Sequence, residues 1–326
     1  MSFPLNAPGR IVTVTANPSL DRTITLVSPL VPGEVQAAAA AREDAGGKGI
    51  NVARVVAASG VATLAVLPLA ADDPFAPALH ASHVPARAVP VRGHVRANVT
   101  ITDPDGVTTK LNLPGAPLSA RDVAALVEAV VEASGGAAWL VLAGSLPPGA
   151  GDSLYVEIIA AVRRRWGADA PRIAVDTSGA ALRAVVEQAS PDLIKPNDEE
   201  LAELAGATLE PGDLSAAVLA VARTLVPAKV AGALITLGAA GAVLVTADGA
   251  WQCTPPRIRV VSTVGAGDSS LAGYLLADVA GVPPEDRLRR SVQYGAAAAS
   301  LPGTQAPTPA DLPADDLVVR ELRTTR

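Results

Sequence analysis

Apolar and polar positions along this chain alternate between two rhythms. Short apolar runs rich in β-branched residues recur at 11–15, 138–142, 172–175, 192–195 and 233–236. Between the later runs lie helical patterns over about 152–165, 179–188, from 197 onward and 214–225. Runs without a polar face suit strands buried on both sides. Their alternation with helices predicts βαβ units and a mainly parallel sheet with helices on both faces, a three-layer α/β architecture. Two stretches break the rhythm. Residues 23–43 are strand-like with no long helix, and residues 95–113 read as a hairpin turning at Asp103-Pro104-Asp105-Gly106. Val95, Ala97, Val99 and Ile101 alternate there with Arg96, Asn98 and Thr100, which predicts one buried and one polar face. Strands from about 20–44 and 92–113 are expected to form a small β-sheet lid; a plain extension of the main sheet is the alternative.

Chemistry concentrates in a few short segments. The β-branched run 258–261 leads into Val264-Gly265-Ala266-Gly267-Asp268, and a helical pattern opens at Ser269. Glycines let the backbone approach a ligand and turn N–H groups toward it, and a helix start adds partial positive charge. Gly265, Ala266 and Gly267 are therefore a candidate anion hole. Asp268 would repel a phosphate, but it is placed to take a proton from a hydroxyl that attacks one. Helix capping is its plainer role.

Asn17-Pro18-Ser19-Leu20-Asp21 closes the first predicted strand at its carboxyl edge, where ligands of open α/β sheets bind. Asp21 can accept from sugar hydroxyls or simply shape a turn. Gly46-Gly47-Lys48-Gly49-Ile50-Asn51 opens a helix expected over 52–59. It lacks the gap and the Lys-Ser/Thr ending of a P-loop, so Gly47, Lys48 and Asn51 are candidates for the substrate's own phosphate or hydroxyls. In Lys195-Pro196-Asn197-Asp198-Glu199-Glu200, Asn197 and Glu200 stand three apart at a helix start and share a face. That face suits a hydrated Mg²⁺, or the acids merely offset the helix dipole.

Composition then narrows the class. At 326 residues, 49% hydrophobic and 2% aromatic, the core must be built mainly from Ala, Val, Leu and Ile. A net charge of −6 argues against a nucleic-acid partner, though a local basic cluster can still receive an anionic substrate. Cys253 is the lone cysteine, which excludes an intramolecular disulfide and fits a reducing compartment. No apolar run approaches the ~20 residues of a membrane span, and the first residues lack a leader pattern. A cytoplasmic protein without a membrane partner is expected. No Gly-x-Gly-x-x-Gly follows the first strand, which speaks against a dehydrogenase.

Taken in order, Asn-Pro-x-x-Asp at 17–21, Gly-Gly-Lys-Gly-x-Asn at 46–51, Lys-Pro-Asn-x-x-Glu at 195–200 and Val-Gly-Ala-Gly-Asp at 264–268 resemble the ribokinase-like carbohydrate kinases. Leu142-Ala143-Gly144-Ser145-Leu146-Pro147-Pro148-Gly149, Asp176-Thr177-Ser178-Gly179 and Thr236-Leu237-Gly238-Ala239-Ala240-Gly241 support the likeness. It covers about 11–304 and is nearest to the phosphosugar branch, the 1-phosphofructokinases and tagatose-6-phosphate kinases. The resemblance implies one ribokinase-like domain over 1–326, with ATP as co-substrate and Mg²⁺ held by Asn197 and Glu200 largely through water. Asp268 would be the base, and the amides of Gly265, Ala266 and Gly267 would receive the transferring phosphoryl group. Thr236, Gly238 and Gly241 would line the nucleotide site, with Lys195 near the phosphates. Asp21, Gly47, Lys48 and Asn51 would hold the sugar phosphate, joined by Arg96 and Asn98 from the lid.

Lys48 bears on the acceptor. Many relatives for non-phosphorylated sugars carry a neutral residue there, as do the minor 6-phosphofructokinases, whose first lid strand is basic where this chain has Val35 and Ala37. Lys48 and Arg96, with Arg22 or Lys110, can serve one substrate phosphate, and Asp21-Arg22-Thr23 resembles the 1-phosphofructokinases. Fructose 1-phosphate is the expected acceptor; tagatose 6-phosphate, another sugar phosphate or a nucleoside, or a non-catalytic sensor on the same fold, are the alternatives. The chain departs from the family pattern at Leu69-Ala70-Ala71-Asp72-Asp73-Pro74-Phe75, where a Gly-rich turn is usual, and at Leu113, where many relatives carry a carboxylate. Open lid edges offer a surface for a homodimer.

Overall fold

Strand β1 (Ile11–Thr15) is buried at every position because it runs through the middle of the sheet. The computed structural model describes residues 9–209, 213–314 and 317–322. After β1 the chain makes β2 (Ser19–Leu26), β3 (Ala38–Gly46), α1 (Lys48–Ala58), β4 (Thr63–Leu69), α2 (Phe75–Ala81) and β5 (Ala86–Pro90). A hairpin of β6 (Arg96–Thr102) and β7 (Thr108–Asn112) precedes α3 (Ala120–Ala133). Then come β8 (Trp139–Ala143), α4 (Leu154–Trp166), β9 (Arg172–Asp176), α5 (Gly179–Gln188), β10 (Leu193–Ile194), α6 (Asp198–Ala205) and α7 (Leu214–Ala222). The last part holds β11 (Gly232–Thr236), β12 (Ala242–Thr246), β13 (Ala250–Cys253), α8 (Ala266–Val279), α9 (Pro284–Ala299) and β14 (Val319–Glu321).

The ten-stranded sheet has the order β14-β13-β12-β11-β10-β9-β8-β1-β4-β5. It is parallel from β5 to β11 and antiparallel over the β12, β13 and β14 edge. Alternate side chains feed two cores. Val12, Val14, Leu140 and Leu142 pack with Leu126 and Val130 of α3, Ile158 of α4 and Val185 of α5. Ile11, Trp139, Val141 and Leu234 pack on the opposite face with Val52 and Val55 of α1, Leu271 and Leu275 of α8, and Leu288 of α9. The expected three layers are present.

The lid is a separate four-stranded sheet, β3-β2-β6-β7, not an extension of the main one. Its two segments meet in parallel, with Asp21 opposite Asn98 and Ser19 opposite Arg96. Leu20 and Ala45 at its base pack with Ile50, Leu67, Phe75 and Leu79, which roots the lid in α1, β4 and α2. The predicted division of β6 into buried and polar faces is not found. Every β6 residue is half-buried, because no described part of the chain covers the lid's outer side. Leu111 on β7 is exposed, as are Val27, Val35, Val107 and Leu113 in the segments that flank the lid strands.

Other boundaries move as well. Helix α1 begins at Lys48, not near Val52: a side chain at Gly49 would strike Val14 O and Thr15, so the glycine allows the helix to start against β1. Helix α8 begins at Ala266 rather than Ser269, which draws Asp268 into its first turn. Helix α7 stops at Ala222, and the remainder of its expected span is turns. The β-branched run 258–261 forms no strand, and Val260 and Val261 are exposed. Near the end of the chain, β14 closes the antiparallel edge of the sheet against β13.

Candidate active site

Gly265 sits at the helix cap of α8 with φ 78°, a left-handed conformation that a side chain would strain. The amides that follow belong to the first helical turn, whose N–H groups have no partner within the helix. Lys195, only 4% exposed, brings its ammonium beside this turn: a Cβ added at Gly267 would lie 3.4 Å from Lys195 Nζ. The turn and the lysine together concentrate positive charge at the start of α8.

Asp268 is not the cap. It is 7% exposed, and Asn51 Nδ2 donates to its Oδ2 at 2.7 Å. Burial, then the nearby Asp176 carboxylate, raise its pKa to about 6, against the pull of Lys48, the Asn51 bond and Lys195. A carboxyl group tuned toward neutrality is suited to accept a proton.

Asp176 ends β9 with a fully buried side chain. Lys48 Nζ lies 2.7 Å from its Oδ1, and Lys195 Nζ 3.3 Å from its Oδ2. Burial works to raise its pKa, but Lys195 and Lys48 prevail and hold it below the usual carboxylate value. Lys48 in turn is held protonated: burial works against its charge, and Asp176, then Asp268, outweigh it. Lys48, Lys195, Asp176 and Asp268 thus form a quartet of balanced charge. Asp176 belongs to one of the supporting motifs, but its role in the site is what sequence reasoning missed. The signal was there, an acid closing the apolar run Ile173-Ala174-Val175 at the carboxyl edge of the sheet.

The acceptor-side candidates meet under the lid. Asp21 Oδ1 accepts from Ser19 Oγ at 2.7 Å and Asn98 Nδ2 at 3.0 Å. Burial lifts its pKa above the usual carboxylate value despite those bonds. Gly46 packs directly against it, since a Cβ there would force the Asp21 carboxylate to move. Asn98 Oδ1 and Arg96 Nε are buried with no partner among the described residues, so polar capacity remains for a ligand. Arg22 is tied instead to Glu43 on the neighbouring strand, and Lys110 lies exposed on β7.

Thr236 ends β11, bridges to Asn197 and donates its amide to Pro196 O at 3.1 Å, so the Lys195 segment and the Gly238–Gly241 turn adjoin. Asn197 and Glu200 cap α6 reciprocally: Glu200 N donates to Asn197 Oδ1 at 2.7 Å and Asn197 N to Glu200 Oε2 at 2.9 Å. Both residues therefore do structural work at the helix start. Among the described residues no group of three or more His, Cys, Asp or Glu side chains gathers as a metal site.

Residues 14–311 match the pattern of the pfkB family carbohydrate kinases. The chain belongs to that family. It is 37% identical to the 1-phosphofructokinase of Rhodobacter capsulatus over 312 residues, covering 94% of this chain and 95% of the relative. It is 33% identical to the ATP-dependent 6-phosphofructokinase isozyme 2 of Escherichia coli K12 over 301 residues, 91% and 94% of the two chains. Among solved structures, phosphofructokinase-2 of Escherichia coli in complex with substrates and products superposes with a TM-score of 0.82 at 31% identity, covering 93% and 96%. Arabidopsis thaliana ribokinase, at 24% identity and a TM-score of 0.69, shares the fold. The fold is ribokinase-like.

The kinase's departures from the family pattern now have physical accounts. Where a Gly-rich turn is usual, Asp73 is 3% exposed and accepts from Phe75 N at 2.9 Å and Val95 N at 2.8 Å. One carboxylate thus joins the loop after β4 to the residue that precedes Arg96. Leu113 follows β7, is exposed and donates its amide to Ala97 O. Val35 and Ala37 lie exposed in the connection before β3, not on the strand itself.

Proposed function

We propose that this kinase transfers the γ-phosphoryl group of ATP to the 6-hydroxyl of fructose 1-phosphate. The observation that carries the reading is the buried Asp268 carboxyl group, raised to about 6 and set in the same helical turn as the Gly265-Ala266-Gly267 amides. Asp268 takes the hydroxyl proton as the sugar oxygen attacks phosphorus in line and the bond to ADP breaks. The amides and Lys195 neutralise the charge spread over the moving group. No covalent enzyme intermediate is needed.

Asp21 and Asn98 suit the sugar hydroxyls, and Arg96 with Lys48 suits the phosphate the sugar already carries. Lys48 begins from its pair with Asp176, so an arriving phosphate shares it with that carboxylate. The relatives named 1-phosphofructokinase support this acceptor, as do the apolar Val35 and Ala37. Thr236, Gly238 and Gly241 line the nucleotide side.

Asn197 and Glu200 fit Mg²⁺ in donor chemistry: both are oxygen donors, and the cap leaves the second carboxylate oxygen of Glu200 uncommitted. A cation that keeps most of its waters needs few protein ligands. When bound it would supply charge neutralisation to the phosphates. The exposed apolar residues on the lid and its open β3 and β7 edges suit a homodimer, and the structures of a relative include a tetrameric inhibited form of phosphofructokinase-2. No helix among the described residues is long and apolar enough to cross a membrane, and we place the enzyme in the cytoplasm.

The deciding experiment is ATP consumption over a panel of sugar monophosphates. Fructose 1-phosphate is expected to give the highest kcat/KM. A higher value for tagatose 6-phosphate or fructose 6-phosphate would reassign the acceptor, and no turnover with any phosphosugar would end the reading.

A further inference from the structure

Far along β1 from Asp21, at the amino end of the strand, Arg10 is buried to 3% exposure. Its Nη2 donates to Ala133 O at 2.9 Å and Gly135 O at 2.6 Å, carbonyls at the end of α3. A cation at a helix carboxyl end offsets the dipole, and that accounts for one nitrogen. It leaves the others unexplained. Nε and Nη1, which carry three of the five guanidinium N–H donors, are buried without an acceptor among the described residues. Leaving charged donors dry and unpaired costs their full desolvation, so native structures seldom tolerate it without a partner.

A cavity of about 670 Å³ is lined by Arg10 together with Leu64, Arg87, Glu132, Ala133 and Trp166. We propose that the cavity is a second ligand site, separate from the kinase centre, that takes a small organic anion: a phosphate or carboxylate carried on a flat apolar body. Arg10 supplies a charge that no described carboxylate neutralises; burial alone perturbs it, lowering its pKa. Arg87 supplies a second charge at the rim. Its present partner is Glu132 at 2.5 Å, with both side chains about half exposed. Such pairs contribute little, so an arriving anion can replace Glu132 on Arg87 and draw the Arg10 donors toward it.

The apolar part of the ligand follows from the walls. Trp166 is held in place by its Nε1 bond to Val131 O at 2.8 Å, and Gly135 packs against its ring. Leu64 and Ala133 complete a surface that suits a ring better than bare phosphate. The volume lies in the range of small-molecule sites. The quartet around Asp268 sits at the carboxyl ends of the strands, so a ligand here touches no reacting group.

Phenyl phosphate is the probe, and tryptophan fluorescence the readout, with fructose 1-phosphate and a non-hydrolysable ATP analogue saturating the kinase site. The wild-type protein is expected to show a saturable change that vanishes in Trp166→Phe. The dissociation constant should rise about tenfold or more in Arg10→Gln, as for loss of a charge-assisted contact, and several-fold in Arg87→Gln. Arg87 is at the surface, so its variant decides the matter even where Arg10→Gln does not fold. No saturable change, or Arg87→Gln binding as tightly as wild type, would overturn the site.

Discussion

Asp268 shows how burial sets chemistry. Its pKa stands at about 6 because water is excluded and Asp176 is near, with Lys48, Asn51 and Lys195 limiting the rise. A base must be deprotonated to act, so kcat/KM should climb as pH passes through about 6 and then level off. Asn51 donates to the charged form, so Asn51→Ala should move that acid limb to higher pH; an unmoved limb would remove Asn51 from the tuning. Asp268→Asn should lower kcat by ~10²–10⁴-fold with ATP affinity retained, measured by steady-state kinetics and calorimetric titration. The same shift has a cost in stability. The folded protein holds this proton more tightly than the unfolded chain, so the site loses stability as pH rises from the unfolded value near 3.8 through about 6. At pH 7 the Asn variant should therefore melt no lower than wild type.

Helix α8 is fixed at both ends. Asn51 meets its first turn, and the buried Asp278 in its last turn accepts from Trp139 Nε1 at 2.8 Å and pairs with Arg287 at 2.7 Å and with Arg172. Arg172 also lies 4.5 Å over the Trp139 ring. Replacing Asp278 by Ala strands these donors, and because both arginines keep some solvent contact the loss should be about 3 kcal/mol in urea denaturation, at the low end for a broken buried pair. The Asp73 tie acts on a different element. Asp73→Ala frees the start of β6 and should raise KM for the phosphosugar several-fold while KM for ATP stays put; equal effects would make Asp73 a general stabiliser. Elements of this kind were unevenly legible. Helix α5 matches its predicted span of 179–188, because Gly179 and the polar Gln188 bracket one apolar stripe. Helices α1 and α8 were read too short, because glycine in a helix looks like an interruption until the strand or lysine packed against it is known.

Across the whole molecule, what could be read from sequence was what lies close in sequence. The strand–helix alternation, the hairpin at Asp103–Gly106 and each glycine-bearing motif are local patterns. Asp176 stands in a supporting motif but was given no role, because its meaning comes from Lys48, 128 positions away, while its neighbours Thr177-Ser178-Gly179 look like an ordinary helix start. The open outer face of the lid was hidden for the opposite reason: alternation in β6 promises a cover that the described residues do not supply. A second copy is the cover we propose, so sedimentation should show a dimer whose dissociation constant rises sharply in Leu111→Lys. A monomer at all concentrations would leave the lid's apolar face without a partner. The junction between lid and core carries a last implication. Strand β3 ends at Gly46 and helix α1 starts at Lys48, so a single residue separates the lid from the helix that bears Asn51. A sugar that presses on β3 thus acts at one residue's remove from the helix whose amide side chain grips Asp268.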